Sequence, residues 1–161
     1  MGRMYTVPFE LGTVTNAGGN VDLWELLPAD DKPIKLRGLR FGQTSEVGDA
    51  AEEGWDVEII RMTATITGGN GSAVTPVPSD SADAAAGFTA EVNGATVATT
   101  SGSTISVDNI AWNNRNSPYE TWWPDGEFAP KAKQGEGLFV RLNNTLVDDT
   151  SFSGVAYVEE E

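Results

Sequence analysis

The chain has 161 residues, with 24 Asp and Glu against 10 Lys and Arg, a formal net charge of −14, and neither cysteine nor histidine. Those two absences remove disulfides, thiolate and imidazole metal ligands, a thiol nucleophile and the commonest general base, which argues against an enzyme, a cofactor or a metal site. The charge repels phosphate backbones, so nucleic acid is not an expected partner.

Hydrophobic residues make up 39% of the chain, with five Trp and six Phe, which argues for a folded chain over a disordered one. The length suits a single domain over 1–161, one that buries roughly 70% of the surface its unfolded form exposes. MGRMYTVPFEL at the start has no apolar signal-like core, and no run of about 20 apolar residues occurs anywhere, so neither a signal peptide nor a membrane partner is expected.

In chain order, TVPFELGTVT (6–15) reads as an opening strand or pair of strands. Residues 1–11 admit two readings: an ordinary first strand, or an arm whose Tyr5, Val7 and Phe9 add to a neighbour's sheet edge. VDLWELL (21–27) alternates, with Val21, Leu23 and Glu25 on one face and Asp22, Trp24 and Leu26 on the other. PADDKP (28–33) is a turn cluster. In IKLRGLRFGQ (34–43), Ile34 and Leu36 point inward, then the phase slips to Leu39 and Phe41, and a β-bulge at Gly38 reconciles them. SEVGDAAEEG (45–54) holds a single helical turn at most.

Trp55, Val57 and Ile59 are odd-numbered whereas Ile60, Met62, Ala64 and Ile66 are even, which predicts a bulge or two-sided burial near Ile59–Ile60. Residues 68–87 are a long connection of small and turn-forming residues. Asn93–Gly94 predicts a type I′ hairpin pairing 88–92 with 95–99, because both residues tolerate positive φ. STISVDNIAW (103–112) is a further strand. In the last third, Leu138, Val140 and Leu142 share a face, as do Phe152, Ala156 and Val158. With about eight to ten strands, no amphipathic helix and long uneven connections, the fold class is all-β, an antiparallel β-sandwich of jelly-roll type.

NNRNSPYETWWPDGEFAPKAKQGEG (113–137) sets Tyr119, Trp122 and Trp123 among turn-forming residues, where they are the candidate interaction residues. One reading has them anchor a long loop or contact another subunit. The other has a sugar ring stack on aromatic faces, with Trp24, Trp55 and Trp112 as further aromatics and Asn113, Asp125 and Glu127 as hydroxyl partners. Neighbouring strand residues point to opposite faces, so Trp122 and Trp123 cannot share one sugar platform in an extended segment. The acidic groups Asp30–Asp31, Glu52–Glu53, Asp148–Asp149 and Glu159–Glu160–Glu161 read as solvated surface, since no calcium-loop pattern is present. No carboxylate pair stands out for glycoside hydrolysis, no G-x-S-x-G elbow exists, and GGNG (68–71) lacks the lysine of a phosphate loop.

PFELGTVTNAGGNVDLWELLPADDKP, IKLRGLRFGQTSEVGDAAEE, DAAAGFTAEVNG, WWPDGEFAPKAKQGEGLFVRLN and SGVAYVEE together resemble small virion proteins of tailed bacteriophages and related environmental viruses, which are short, acidic, cysteine-free and all-β. The resemblance runs from about residue 4 to the end and carries no catalytic signature. It implies a jelly-roll sandwich that forms homo-oligomers, commonly trimers, on a capsid. The expected function is therefore a non-enzymatic virion structural protein, a capsid decoration or stabilising subunit on the outside of a bacteriophage head. Its expected partners are copies of itself and a major capsid protein or other virion protein, after synthesis in the host cytoplasm. Lys35, Arg37, Arg40, Lys131 and Lys133 are expected to meet acidic patches on those partners. The alternative is a carbohydrate-binding β-sandwich used for host or glycan attachment.

Overall fold

The strands pair by nesting, first with last and inward from there. In the computed structural model, residues 2–14, 19–44, 54–113, 116, 118–124, 126–143 and 149–161 are described. β1 (Arg3–Val14) pairs with β14 (Thr150–Glu160), and β2 (Val21–Leu27) with β13 (Glu136–Leu142). β3 (Ile34–Gln43) pairs with β11 (Tyr119–Trp122), and β4 (Gly54–Thr63) with β10 (Thr104–Asn113), all antiparallel. Such a four-deep antiparallel ribbon, wrapped on itself so that β14 meets β3 and β13 meets β4, gives two facing sheets. The core orders are β11-β3-β14-β1 and β10-β4-β13-β2. This is the jelly-roll arrangement of a β-sandwich.

The remaining strands come from one insertion and one loop. Between β4 and β10, at the tip of the ribbon, lie β5 (Ile66–Thr67), β6 (Ser72–Val74), β7 (Val77–Pro78), β8 (Thr89–Gly94) and β9 (Thr99–Thr100). β8 and β6 extend the second sheet beyond β2, β7 extends the first beyond β1, and β5 pairs with β9. The insertion therefore covers the β1/β2 side of the sandwich: Phe88 packs edge-on against Tyr5 at 5.6 Å, and the Tyr5 hydroxyl donates to the Ala84 carbonyl at 3.0 Å. On the opposite side, among the described residues, β11 and β12 (Lys131–Ala132) face β10.

The core lies between the sheets and is built from alternate residues, as the pleat requires. Leu36, Leu39 and Phe41 from β3 meet Trp24, Trp55, Val57 and Leu138 from the opposite sheet, all buried. Each such side chain contributes about 1.5–3 kcal/mol of burial free energy. Trp24 satisfies its indole N–H on the Val7 carbonyl at 2.9 Å, which binds one sheet to the other.

Two bulges set the phase of β3 and β2. Tyr157 pairs with Gly38 and Val158 with Leu36, so β3 carries its extra residue at Arg37, beside the Gly38 bulge that the sequence predicts. Near Ile59–Ile60, β4 runs straight against β13, and the two-sided burial is real: Ile60, Met62 and Phe139 form a second cluster with Ala98 on the outer face, under the insertion. β2 departs from the alternation read in the sequence. Val140 pairs with Trp24 and Arg141 with Asp22, which leaves Leu23 as the extra residue. Val21, Leu23, Trp24 and Leu26 thus all join the core, while Asp22 and Glu25 share the outer face.

Two further expectations are corrected. The hairpin at Asn93–Gly94 does not form: β8 pairs with β2 and β6, Gly94 stands opposite Asp22 in the ladder, and only Asn93 has positive φ (57°). Residues beyond Gly94 leave that ladder to cross the outer face, where the Ala98 N–H reaches the Asp22 carboxylate at 2.7 Å. β1 takes the first-strand reading, pairing with β14 from Arg3 to Val14. Tyr5, Val7 and Phe9 are core residues, at most 5% exposed, and are not available to a neighbour's sheet. The helical turn expected at 45–54 lies outside the described residues except for Gly54, the first residue of β4.

Candidate interaction surfaces

The aromatic residues divide sharply. Trp24, Trp55, Trp112 and Tyr119 are buried. Tyr119 stacks on Phe41 at 4.9 Å, and Trp112 meets Phe41 edge-on at 5.3 Å, closing the β10/β11 end of the core. Burial, with the Asp108 carboxylate nearby, pushes the Tyr119 hydroxyl up to about 12. Trp123 is half-buried against the same core, its N–H bonded to the Arg37 carbonyl at 2.9 Å. Four of the five tryptophans are thereby anchors.

Trp122 is the exception, 48% exposed on the outer face of the first sheet. It is the cross-strand partner of Gly38, and a Cβ at Gly38 would lie 2.3 Å from its ring, so the indole lies down on the bulge. Covering a strand glycine with an aromatic ring is a structural role in its own right. Tyr157 flanks it at 4.6 Å, and the indole N–H donates to Glu120 at 2.7 Å. The two neighbouring tryptophans do diverge, yet both border one shallow groove of about 580 Å³, with Met4, Arg37, Pro124 and Glu159. The groove's charged groups pair with one another, Arg37 Nη1 donating to Glu159 at 2.9 Å.

The acidic C-terminal run is engaged in ion pairs, with Glu160 buried and Glu161 still exposed. Glu159 holds Arg37, and Glu161 holds both Lys35 and Lys131, which keep its carboxyl below the ordinary carboxylate range. Glu160, 4% exposed, accepts from the Gly87 and Phe88 N–H groups at 2.7 and 3.1 Å and pairs with Lys32 at 3.5 Å. Lys35, Arg37 and Lys131 are thus already engaged within the chain. Asp125, Glu52, Glu53 and Asp148 lie outside the described residues.

A polar cluster on the outer face of the second sheet was not visible in the sequence. Asp22, fully buried, takes a two-pronged ion pair from Arg141 (Nε at 2.6 Å, Nη2 at 3.0 Å). Arg141 also donates to the Ala98 carbonyl at 3.1 Å, so the pair pins the returning limb of the insertion. Beside it, Glu25 is 2% exposed and, among the described residues, accepts from the Gly69 N–H alone, at 3.0 and 3.2 Å to its two oxygens. Burial, outweighing that hydrogen bond, and the nearby Asp22 and Glu91 charges push its carboxyl up to about 7. Position 69 must be glycine, since a Cβ there would lie 1.9 Å from the Thr96 carbonyl oxygen. No group of three or more metal-ligating side chains occurs among the described residues.

The last surface is the outer edge of β10 from Thr104 to Ala111. Among the described residues, the strand ends its sheet and pairs with β4 on one side only. Residues 104–107 and 109–111 are exposed, including Ile105 and Val107 at 38% each and Ile110 at 50%. Phe128, in the loop before β12 at the edge of the facing sheet, is 78% exposed. Natural edge strands are usually shortened, bulged or given Lys, Pro or an inward-pointing charge; β10 is ten residues long without Lys or Pro, and its devices are a bulge at Val107 and the single acid Asp108. The signal for it in the sequence is the aliphatic spacing at 105, 107 and 110, which follows no single face. Comparison with family models, with curated proteins and with solved structures found no match.

Proposed function

We propose that the chain is a non-enzymatic structural subunit of a virus particle, a capsid decoration or stabilising protein that assembles with copies of itself on the particle's exterior. The observation that carries this reading is the asymmetry of the sandwich: the insertion covers one side, while the other ends, among the described residues, in a strand paired on one side over Thr104–Ala111 and bearing three exposed aliphatic side chains. An exposed edge of that kind serves joining. The jelly-roll order is one that viral capsid proteins use, alongside lectins and others, so it supports the reading without singling it out. A net charge of −14 favours the outside of a shell over a lining in contact with packaged nucleic acid. The major capsid protein is the proposed docking partner.

A second reading, a carbohydrate-binding module for host attachment, has one observation in its favour: the exposed Trp122 indole, flanked by Tyr157 and by the Glu120, Arg37 and Glu159 side chains. A glycan array separates the two. The structural reading expects no selective glycan binding; selective binding lost in Trp122→Ala would favour the module.

A further inference from the structure

The outer edge of β10 is matched to itself, and we infer that its occupant is the β10 strand of a second copy, paired antiparallel about a two-fold axis. The inference deepens the assembly reading above by naming the surface through which copies meet. It starts from which way the exposed side chains point. In β4, Val57 and Ile59 face the main core, whereas Ile60 and Met62 face the outer cluster. Their partners in β10 share those faces: Ile110 stands opposite Val57 and Asp108 opposite Ile59, whereas Ser106 stands opposite Ile60 and Thr104 opposite Met62. Ile105, opposite Arg61, therefore faces inward together with Ile110, although one number is odd and the other even. The bulge at Val107, between Ser106 and Asp108, produces that match.

Two antiparallel copies keep one continuous sheet only when directly opposed residues lie on the same face. A regular strand meets that condition only between residues of equal parity. β10 meets it in the register that sets Ile105 against the partner's Ile110, because the bulge shifts the phase at the centre. In the same register the outward residues also oppose one another, Thr104 against the partner's Ala111 and Ser106 against the partner's Asn109. The symmetry brings two Ile–Ile pairs together, flanking the axis, and sets Asp108 beside the partner's Val107 instead of the partner's Asp108. Charge points the same way. In a chain of net charge −14, β10 carries a single ionisable side chain in ten residues, so copies meet there with little repulsion. The chemistry of the edge, backbone groups with no strand partner among the described residues over Thr104–Ala111 apart from the Asn109 N–H held by the Asp108 carboxylate at 2.9 Å, selects an extended strand over any other occupant.

Two-fold pairing is isologous and closes at two copies, or at an even number if a second contact is added. Native mass spectrometry and sedimentation at tens of micromolar should show a dimer. Ile110→Lys, an exposed change that leaves the core untouched, should weaken association at least tenfold, with circular dichroism unchanged. Because the chain has no cysteine, the register can be read directly. Ile105→Cys/Ile110→Cys should cross-link into a covalent dimer on mild oxidation, whereas either single variant should not, since each residue lies far from its own copy across the axis. A trimer, or a dimer that Ile110→Lys leaves intact, would overturn the β10 pairing while leaving the structural reading standing through another surface. Cross-linking of the single variants would overturn the antiparallel register. A monomer at these concentrations would overturn both the pairing and the self-assembly half of the proposed function, leaving docking on the capsid protein as a separate measurement.

Discussion

Glu25 makes the fold's stability depend on pH in an unusual direction, and the size of the effect follows from its surroundings. Its carboxyl lies under the insertion with, among the described residues, one N–H donor for two oxygens and with Asp22 and Glu91 of like charge nearby; Arg141 offsets them only in part. The folded chain keeps the proton up to about 7, against an ordinary value of 4.5 that the unfolded chain approaches. Between those values the folded state holds more protons than the unfolded state, so stability is present below about pH 4.5 and is lost as pH rises through 7. The gap corresponds to roughly 3 kcal/mol at most. Urea unfolding followed by circular dichroism should therefore find the protein more stable at pH 5.5 than at pH 8, by about 1–2 kcal/mol from this group. Glu25→Gln keeps the shape of the neutral acid and removes the titration, so it should flatten that difference and raise stability at pH 8. A wild-type protein as stable at pH 8 as at pH 5.5, or a Gln variant with the full pH dependence, would refute the reasoning.

Asp22→Ala leaves the Arg141 guanidinium buried without its counter-charge and should cost about 3–5 kcal/mol, whereas Asp22→Leu/Arg141→Met should lie within about 2 kcal/mol of wild type, both by urea unfolding. Gly38→Ala drives a methyl group into the Trp122 ring and should cost about 1–3 kcal/mol; because the clash needs both partners, Gly38→Ala/Trp122→Ala should cost less than the sum of the single changes. Alkaline titration followed at 295 nm should show a tyrosine component near pH 12 that Tyr119→Phe removes.

Much of the fold was legible because the pleat writes itself into alternation. Ile34 and Leu36, then Leu39 and Phe41, announced both a strand and its bulge; Leu138, Val140 and Leu142 announced a core face. The divergence of Trp122 and Trp123 followed from the same rule. What the sequence hid was long-range. Leu23 fits either face of β2, so nothing local reveals the slip that puts Asp22 and Glu25 together. The acids at 159–161 look solvated until Lys32, Lys35, Arg37 and Lys131, distant in sequence, are brought beside them by pairing of β14 with β3 and of β12 with β3. Asn93–Gly94 has the chemistry of a tight hairpin, but β8 gains two ladders, with β2 and β6, by staying in the sheet, and tertiary pairing outweighs the local turn. β10 read as one strand among several because openness at an edge is a property of the neighbours it lacks.

The proposed function stands or falls on where the chain sits. Purified particles carrying it can be probed with a protease or with antibodies raised against the folded protein, before and after the shell is opened. The exterior reading expects labelling and cleavage on intact particles, with release by high salt only slight because an apolar or strand-edge attachment is not screened. A chain protected until the shell is opened, or missing from the particles altogether, would contradict it.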